Sequence, residues 1–165
     1  MPTLFPFGAW SLTVLSVWRV LSDSVEKTEA VGWEWAQEVG PGWVITLHGE
    51  VGSGKTTLVR GLARGLASPA RVHSPSFSLL HVYRGGRLPL YHLDLYRLEG
   101  PESILATGLD QYFVTEGVTI IEWPERLGAG EHWPDWAARP VRLRRVKLEM
   151  TGSRTRWITY EDVGG

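Results

Sequence analysis

The chain has 165 residues, of which 43% are hydrophobic and 21% are charged, and its formal net charge at pH 7 is −1. These values are typical of one ordinary globular domain. The near-zero charge excludes a global electrostatic attraction to nucleic acid or to an anionic membrane. The absence of cysteine excludes disulfides and thiolate metal sites, and it leaves the cytoplasm as the default compartment.

The first twenty residues are strongly apolar, so a signal peptide or a membrane anchor has to be considered. No Lys or Arg precedes Arg19, and polar residues interrupt the apolar stretch three times, which argues against both. We expect residues 1–15 to form an apolar arm that is poorly ordered or leads into an edge strand near residues 16–21. A start codon placed too far upstream would also explain the arm. Residues 16–165 are expected to form a single domain.

The segment after the arm has the composition of a surface helix that leads into a buried strand. Ser22 or Ser24 can cap the start of the helix, and Gly40 followed by Pro41 ends it. The apolar residues of this helix recur on one face: Val31, Trp35, Ala36 and Val39. The next apolar run, residues 43–47, is rich in β-branched residues and predicts a buried strand.

The most specific local pattern follows that strand. Residues 49–56 read Gly-Glu-Val-Gly-Ser-Gly-Lys-Thr and match the phosphate-binding loop pattern G-x-x-x-x-G-K-[ST] in full. Residues at helical spacing come next: Thr57, Leu58, Val59, Leu62, Ala63 and Leu66. The loop amides would therefore sit at a helix N-terminus, where unpaired N–H groups and the helix dipole attract anions. The alternative is a glycine-rich turn that only caps the helix.

The loop predicts a nucleotide and Mg²⁺ as ligands. The ammonium of Lys55 would bridge the β- and γ-phosphates, and the hydroxyl of Thr56 would coordinate Mg²⁺, a hard cation that prefers oxygen ligands. Gly52 and Gly54 allow backbone angles that a Cβ would forbid, so that successive amides can converge on phosphate oxygens. The predicted nucleotide-binding residues of the loop are Glu50, Val51, Gly52, Ser53, Gly54, Lys55, Thr56 and Thr57.

A hydroxyl-rich segment follows the loop helix. Residues 73–79 read His-Ser-Pro-Ser-Phe-Ser-Leu, with three serines around a proline. In phosphoryl-transfer proteins such a segment can sense the γ-phosphate and complete the Mg²⁺ shell, becoming ordered only with the triphosphate. Ser76 and Ser78 are therefore candidate switch residues. An ordinary Ser-Pro turn before a strand is the alternative, and the local pattern does not decide between the two.

Two later strands end in an acid. Residues 77–83 and 88–95 are β-prone and are separated by Arg-Gly-Gly-Arg, which predicts a hairpin whose second strand carries Asp94. Residues 117–122 have the same layout and end at Glu122. Both acids are expected at the carboxyl edge of the sheet, where α/β proteins bind ligands. One can hold Mg²⁺ while the other orients the attacking water, or either can pair with a nearby arginine or amide; spacing does not assign these roles.

The C-terminal region is rich in cations. Residues 141–150 and 154–160 predict a hairpin that carries six of them: Arg142, Arg144, Arg145, Lys147, Arg154 and Arg156. These cations could track RNA phosphates, but a solvated sheet face is the favoured interpretation because strand alternation directs many of them toward water. Arg97 and Arg126 can stabilise transition-state charge or contact a partner, with salt bridges as the alternative.

Four blocks of sequence occur together: residues 49–57, 74–79, 91–98 and 120–127. The last two read Tyr-His-Leu-Asp-Leu-Tyr-Arg-Leu and Ile-Ile-Glu-Trp-Pro-Glu-Arg-Leu, and they are specific where the phosphate loop is general. In their order and spacing, the blocks resemble the TsaE family, bacterial ATPases of tRNA threonylcarbamoyladenosine biosynthesis. The resemblance covers residues 22–127, with a weaker fit through the terminal hairpin.

The resemblance implies an α/β fold of the P-loop NTPase-like type, a three-layer sandwich with a mixed central sheet, antiparallel hairpins and flanking helices. It implies that the domain binds ATP and Mg²⁺, hydrolyses ATP weakly alone, and joins a TsaD–TsaB heterodimer whose repeated turnover it supports. TsaD would modify the tRNA, so contact between this chain and tRNA would be indirect. We expect no membrane association and an isolated monomer.

The resemblance also implies site residues. Asp94 and Glu122 occupy the acidic catalytic or metal positions, and Thr56 joins them at Mg²⁺. Trp123 lies beside them as a nucleotide or partner contact. The chain departs from the family pattern at Ser76 and Ser78, where threonine is usual, although both hydroxyls are retained.

Two other functional classes share the same loop. A small-molecule kinase would need an acceptor pocket and usually a basic lid, but no arginine-rich lid separates Asp94 from Glu122. A nucleotide-gated scaffold would bind ATP to change its affinity for a partner, with hydrolysis only as a reset. The sequence does not separate this scaffold from the ATPase.

Overall fold

The computed structural model describes residues 14–130 and 132–164, so residues 1–13 of the predicted arm lie outside the described residues. The strands are β1 Val14–Ser22, β2 Trp43–His48, β3 Leu80–Tyr83, β4 Leu90–Asp94, β5 Val118–Glu122, β6 Arg142–Met150 and β7 Arg156–Val163. The helices are α1 Val25–Trp35, α2 Lys55–Gly65 and α3 Pro101–Thr107, with 3₁₀ helices at Leu109–Tyr112 and Pro124–Leu127. None of the helices in the described ranges has the length and apolar character needed to cross a bilayer.

The seven strands form one mixed sheet in the order β1-β7-β6-β2-β5-β4-β3. The central strands β6, β2, β5 and β4 are parallel, whereas β1 with β7, β7 with β6, and β3 with β4 are antiparallel. α1 and α2 pack on one face, and α3 with the two 3₁₀ helices packs on the other. The predicted three-layer α/β fold with a mixed sheet is confirmed.

Several element ends differ from the sequence predictions. The strand predicted from Phe77 begins only at Leu80, because residues 76–78 form a turn in which the N–H of Leu79 donates to the carbonyl of Pro75 at 2.7 Å. α1 ends at Trp35, before the predicted Gly40, and a short turn follows it. The predicted edge strand exists as β1 and is longer than expected, since it pairs with β7 along most of its length.

α1 and α2 approach each other closely because glycines line their contact. A Cβ at Gly61 would overlap the carbonyl of Glu29, and a Cβ at Gly32 would overlap the carbonyl of Leu58. The carboxylate of Glu29 also pairs with two arginines of α2, Arg60 at 3.2 Å and Arg64 at 2.7 Å. This contact fixes α2, and with it the loop from which α2 starts.

The six cations of the terminal hairpin do not form one surface, so the RNA-phosphate interpretation of this group is not supported by their placement. Arg144 is only 2% exposed and lies over the rings of Trp35, Trp43 and Tyr160. Its guanidinium donates to both carboxylate oxygens of Asp162, at 2.6 and 2.8 Å, and to Glu38 at 2.7 Å. Burial alone would lower the pKa of Arg144, but these two carboxylates raise it above its usual value. The cation is therefore a core residue.

We expect Arg144→Leu to lower the free energy of unfolding by about 3–5 kcal/mol, because it leaves the Asp162 carboxylate buried without a partner. The matched control on the same strand is Lys147→Ala, whose ion pair with Glu149 is exposed and should contribute less than about 1 kcal/mol. Equilibrium urea denaturation measures both. Equal losses in the two variants would contradict the assignment of Arg144 to the core.

Candidate functional site

The phosphate-loop sequence lies where the pattern predicts, between the end of β2 and the start of α2. Gly52 and Gly54 have φ values of +82° and +106°, in the left-handed region that favours glycine. Thr56 and Thr57 are in the first turn of α2, while Val51 is 83% exposed at the loop tip. The loop amides thus precede a helix N-terminus, where anions are favoured.

Lys55 is nearly buried and is held by its own loop. Its ammonium donates to the carbonyl of Gly49 at 2.5 Å and to that of Glu50 at 3.1 Å. The same nitrogen lies 5.0 Å from the ring centroid of Trp123, within the range of a cation–π contact. The lysine therefore carries a fixed positive charge between the loop and Trp123.

Arg156 supports the loop from the last strand, and no local pattern in the sequence indicates this role. Its guanidinium donates to the carbonyl of Ser53 at 3.0 Å, although the two residues are 103 positions apart. It also fills the space beside Gly54, so that a Cβ at that position would overlap it. The terminal hairpin therefore contributes a buried cation to the back of the phosphate loop.

The two predicted acids are neighbours across the sheet. Asp94 is the pairing partner of Glu122, and Glu122 is in turn the partner of Leu47, two residues before the loop. Adjacent strands are about 4.8 Å apart. Both acids are only 3% exposed. The parallel register thus places Glu122 on the strand next to β2, which leads into the phosphate loop, and Asp94 beside Glu122 on the following strand.

Asp94 is bound to the hydroxyl-rich segment. One carboxylate oxygen accepts from the hydroxyl of Ser76 at 2.8 Å, and the other accepts from the N–H of Tyr96 at 2.9 Å. Arg97 donates to the carbonyl of Ser76 at 2.7 Å. Of the two candidate switch residues, the structure brings Ser76 to the acid, whereas Ser78 lies on the exposed side of the turn.

Glu122 is bound by a buried histidine that is not among the site residues predicted from the sequence. Nε2 of His92 lies 2.8 Å from the carboxylate of Glu122, and Nδ1 lies 3.2 Å from the hydroxyl of Tyr83. Burial, opposed by a hydrogen bond to the carbonyl of His73 and reinforced by the charge of Glu122, raises the pKa of Tyr83. The alternation of β4 could have indicated this histidine, because His92 is two residues before Asp94 and shares its face.

Trp123 follows Glu122 directly and has a left-handed backbone, with a φ of +57°. This conformation turns the chain out of β5. The centroid of the Trp123 ring lies 4.8 Å from that of the Tyr96 ring, and the ammonium of Lys55 lies over the Trp123 ring. Arg126 is half-buried one turn further on. The structure therefore places Trp123 beside Lys55 and places Arg97 on the Ser76 side of the site.

A groove of about 970 Å³ adjoins the phosphate loop at Gly49, Glu50 and Ser53. Its size is at the upper end of the range of about 300–1,000 Å³ for small-molecule sites. Six of its ionisable side chains form three pairs: Arg145 with Glu161 at 2.6 Å, Lys147 with Glu149 at 2.8 Å, and His48 with Glu125 at 3.0 Å. The hydrogen bond from His48, opposed by burial, lowers the pKa of Glu125 below its usual value.

The donor set around the loop fits Mg²⁺. Thr56, Asp94 and Glu122 offer hydroxyl and carboxylate oxygens, the hard ligands that this ion prefers. In the described parts of the chain, no three acidic or histidine side chains form a preorganised metal cluster. Mg²⁺ in nucleotide sites is commonly held by one or two carboxylates together with substrate phosphates and water, and this set suits that arrangement.

Comparison with known families agrees with this geometry. A family model described as "Threonylcarbamoyl adenosine biosynthesis protein TsaE" matches residues 22–156. The chain belongs to the TsaE family. The resemblance seen in the sequence blocks is thereby confirmed, and the TsaE match extends through most of the terminal hairpin. The TsaE family acts in the biosynthesis of tRNA threonylcarbamoyladenosine.

Several relatives carry the name "tRNA threonylcarbamoyladenosine biosynthesis protein TsaE". The protein of Bacillus subtilis is 36% identical over 147 residues, which cover 89% of this chain and 85% of that protein. The protein of Nostoc is 40% identical over 120 residues, covering 70% and 74%. The crystal structure of Bacillus subtilis YdiB superposes with a TM-score of 0.72 at 32% identity, covering 90% of this chain and 87% of that structure.

Proposed function

We propose that this chain is a Mg²⁺-dependent ATPase that acts in the cytoplasm with the TsaD–TsaB pair and hydrolyses ATP weakly by itself. The observation that carries the proposal is the register of β2, β5 and β4. It sets Glu122 on the strand next to β2, which leads into the loop of Lys55, and sets Asp94 beside Glu122 on the following strand. Family membership supports the place of this activity in tRNA modification.

In the proposed reaction, the oxygen of a water molecule bonds to the γ-phosphorus of ATP, and the bond from that phosphorus to the β–γ bridging oxygen breaks. ADP and phosphate are the products, and the water's proton passes to a carboxylate. Lys55 and the loop amides would hold the phosphates, since phosphoryl transfer depends chiefly on positioning and charge stabilisation. Mg²⁺, held by Thr56 and one of the two acids, would neutralise charge on the phosphate oxygens.

The two carboxylates have different surroundings, and this difference supports separate roles. The carboxylate of Asp94 is hydrogen-bonded to the hydroxyl of Ser76, so two oxygen ligands of the kind that Mg²⁺ prefers lie together. Glu122 is bound by an imidazole and is the better candidate to accept a proton from water or to orient it. Trp123, beside Lys55, is placed to contact the nucleotide or a partner bound over it.

Steady-state ATP hydrolysis by the purified chain, alone and with the TsaD–TsaB pair from the same organism, tests the proposal. We expect slow turnover alone and strong stimulation by the pair, both absent from Lys55→Ala. An equal, small rate under all conditions would contradict a partner-activated ATPase. Transfer of the γ-phosphate to a small acceptor would instead identify a kinase.

A further inference from the structure

A chain of buried polar groups connects Glu122 to the backbone of the hydroxyl-rich segment. Its links are the carboxylate of Glu122, the ring of His92 and the hydroxyl of Tyr83, at 2.8 and 3.2 Å. The hydroxyl of Tyr83 in turn contacts both polar backbone atoms of His73, the carbonyl at 2.8 Å and the N–H at 3.3 Å. These groups belong to β5, β4, β3 and residues 73–79, so the connection crosses three adjacent strands.

The directions of these hydrogen bonds follow from the chemistry of the groups. A carboxylate can only accept, so Nε2 of His92 carries a hydrogen and donates to Glu122. The phenol has one hydrogen, and its shortest contact is to the carbonyl of His73, which can only accept. With its hydrogen on Nε2, the ring of His92 presents Nδ1 as a second acceptor, so the hydrogen of Tyr83 is shared between Nδ1 and the carbonyl of residue 73. The oxygen of Tyr83 accepts from the N–H of residue 73.

The placement of His92 suits the control of a carboxylate. The ring is fully buried, and Glu122 is 3% exposed, so the carboxylate is held chiefly by protein groups. A glutamate side chain has several rotatable bonds, and a single strong contact from a rigid ring removes much of that freedom. In metal and catalytic sites, such outer partners orient the groups that do the chemistry.

We propose that His92 and Tyr83 are positioning residues that fix the carboxylate of Glu122 and tie its orientation to the backbone at His73. The inference rests on the proposed ATPase function and deepens it. The 73–79 segment then reaches both acids, through Ser76 to Asp94 and through Tyr83 and His92 to Glu122. A change in the position of this segment would be transmitted to both carboxylates.

Substitution of His92 tests the positioning role. We expect His92→Leu to lower kcat by about 10- to 100-fold. The KM for ATP and the dissociation constant of a non-hydrolysable ATP analogue should change by less than about threefold, because phosphate binding is left intact. His92→Gln, whose amide N–H can donate from a position near Nε2, should recover most of the lost kcat. An unchanged kcat in folded His92→Leu, or the same deficit in both variants, would overturn the role.

Tyr83→Phe tests the second link and provides a milder variant if His92→Leu does not fold. It removes only the hydroxyl, and we expect kcat to fall by about 2- to 10-fold with little change in KM. The matched control is Tyr91→Phe, which removes the hydroxyl of the buried residue next to His92 on β4. That hydroxyl binds Glu116 at 2.7 Å and is not part of this chain of contacts. Equal rates in the two variants would count against Tyr83.

Hydrogen exchange followed by mass spectrometry tests the connection without using activity. In the described hydrogen-bond network, the ring of His92 reaches residues 73–79 through Tyr83, whose hydroxyl and whose partner at His73 are also contacted by His81. Faster amide exchange of residues 73–79 in His92→Leu, but not in Tyr91→Phe, would therefore support the connection, and unchanged exchange would overturn it. If the wild-type chain does not hydrolyse ATP, the proposed function fails while exchange still decides the connection. If the wild-type chain hydrolyses ATP and the His92 and Tyr83 variants have the same kcat, the positioning role fails and the proposed ATPase function stands.

Discussion

Lys55→Met should weaken the binding of ATP by about 100-fold. Lys55 is 6% exposed, and its ammonium is the charged group of the phosphate-loop motif. Removing one partner of a desolvated charge pair commonly costs about 2–5 kcal/mol of binding free energy, and about 1.4 kcal/mol corresponds to a tenfold change. Methionine keeps an aliphatic stem against Trp123 while removing the charge. Isothermal titration calorimetry with a non-hydrolysable ATP analogue and Mg²⁺ measures the effect.

The matched control for this prediction is Lys27→Ala on the surface of α1. Lys27 has a 48% exposed side chain, and its only described ion pair is with Asp23 at 3.9 Å. The analogue should bind this variant as it binds the wild type. Because Lys55 also donates to the carbonyls of Gly49 and Glu50, thermal unfolding of Lys55→Met shows whether the loop stays folded. Wild-type affinity in a folded Lys55→Met protein would exclude the loop as the nucleotide site.

Local patterns were sufficient to predict the phosphate loop and the strands that carry the two acids. The loop is specified by glycines and a lysine within eight consecutive residues, so its geometry depends little on distant contacts. Asp94 and Glu122 could be located because each ends an apolar strand. Their adjacency follows from the rule that parallel strands meet at their carboxyl ends, and the register bears this out.

Contacts between distant segments were beyond the reach of the sequence. Arg156 reaches the phosphate loop over 103 positions, and nothing near Arg156 indicates its partner at Ser53. Arginine is usually a surface residue, and Arg144 is buried only because α1 packs against β6 and β7. The hydroxyl-rich segment was ambiguous for a related reason: whether Ser76 or Ser78 faces Asp94 depends on a turn closed by Pro75 and Leu79.

His92 could have been predicted from the alternation of side chains along β4, although no local motif marks it. It is two residues before Asp94, so both side chains lie on the same face of β4 as Leu90, which packs in one core cluster with α2. Glu122 is paired with Asp94 across the sheet, which makes His92 its diagonal neighbour. The candidate site is therefore best described as one layer of side chains on three strands rather than as two separate strand-end acids.

Glu122→Gln should abolish most ATP hydrolysis while leaving nucleotide binding almost unchanged. Glutamine has nearly the same shape, and its amide oxygen can still accept from Nε2 of His92, so the buried contact survives and only the charge is lost. Loss of a general base lowers kcat by about 10²- to 10⁴-fold. The dissociation constant of the ATP analogue should change little, because Glu122 is not among the groups of the loop that hold the phosphates.

Asp94→Asn is the informative companion to this variant, because the two acids are neighbours with similar burial but different partners. If Asp94 contributes to the Mg²⁺ shell with Ser76, its replacement should raise the Mg²⁺ concentration needed for half-maximal hydrolysis. Glu122→Gln should leave that concentration near the wild-type value and lower the rate at saturating Mg²⁺. Hydrolysis rates measured across a Mg²⁺ titration separate the two effects. Wild-type kcat in Glu122→Gln would remove Glu122 from the chemistry, and a Mg²⁺ shift in that variant alone would exchange the roles of the two carboxylates.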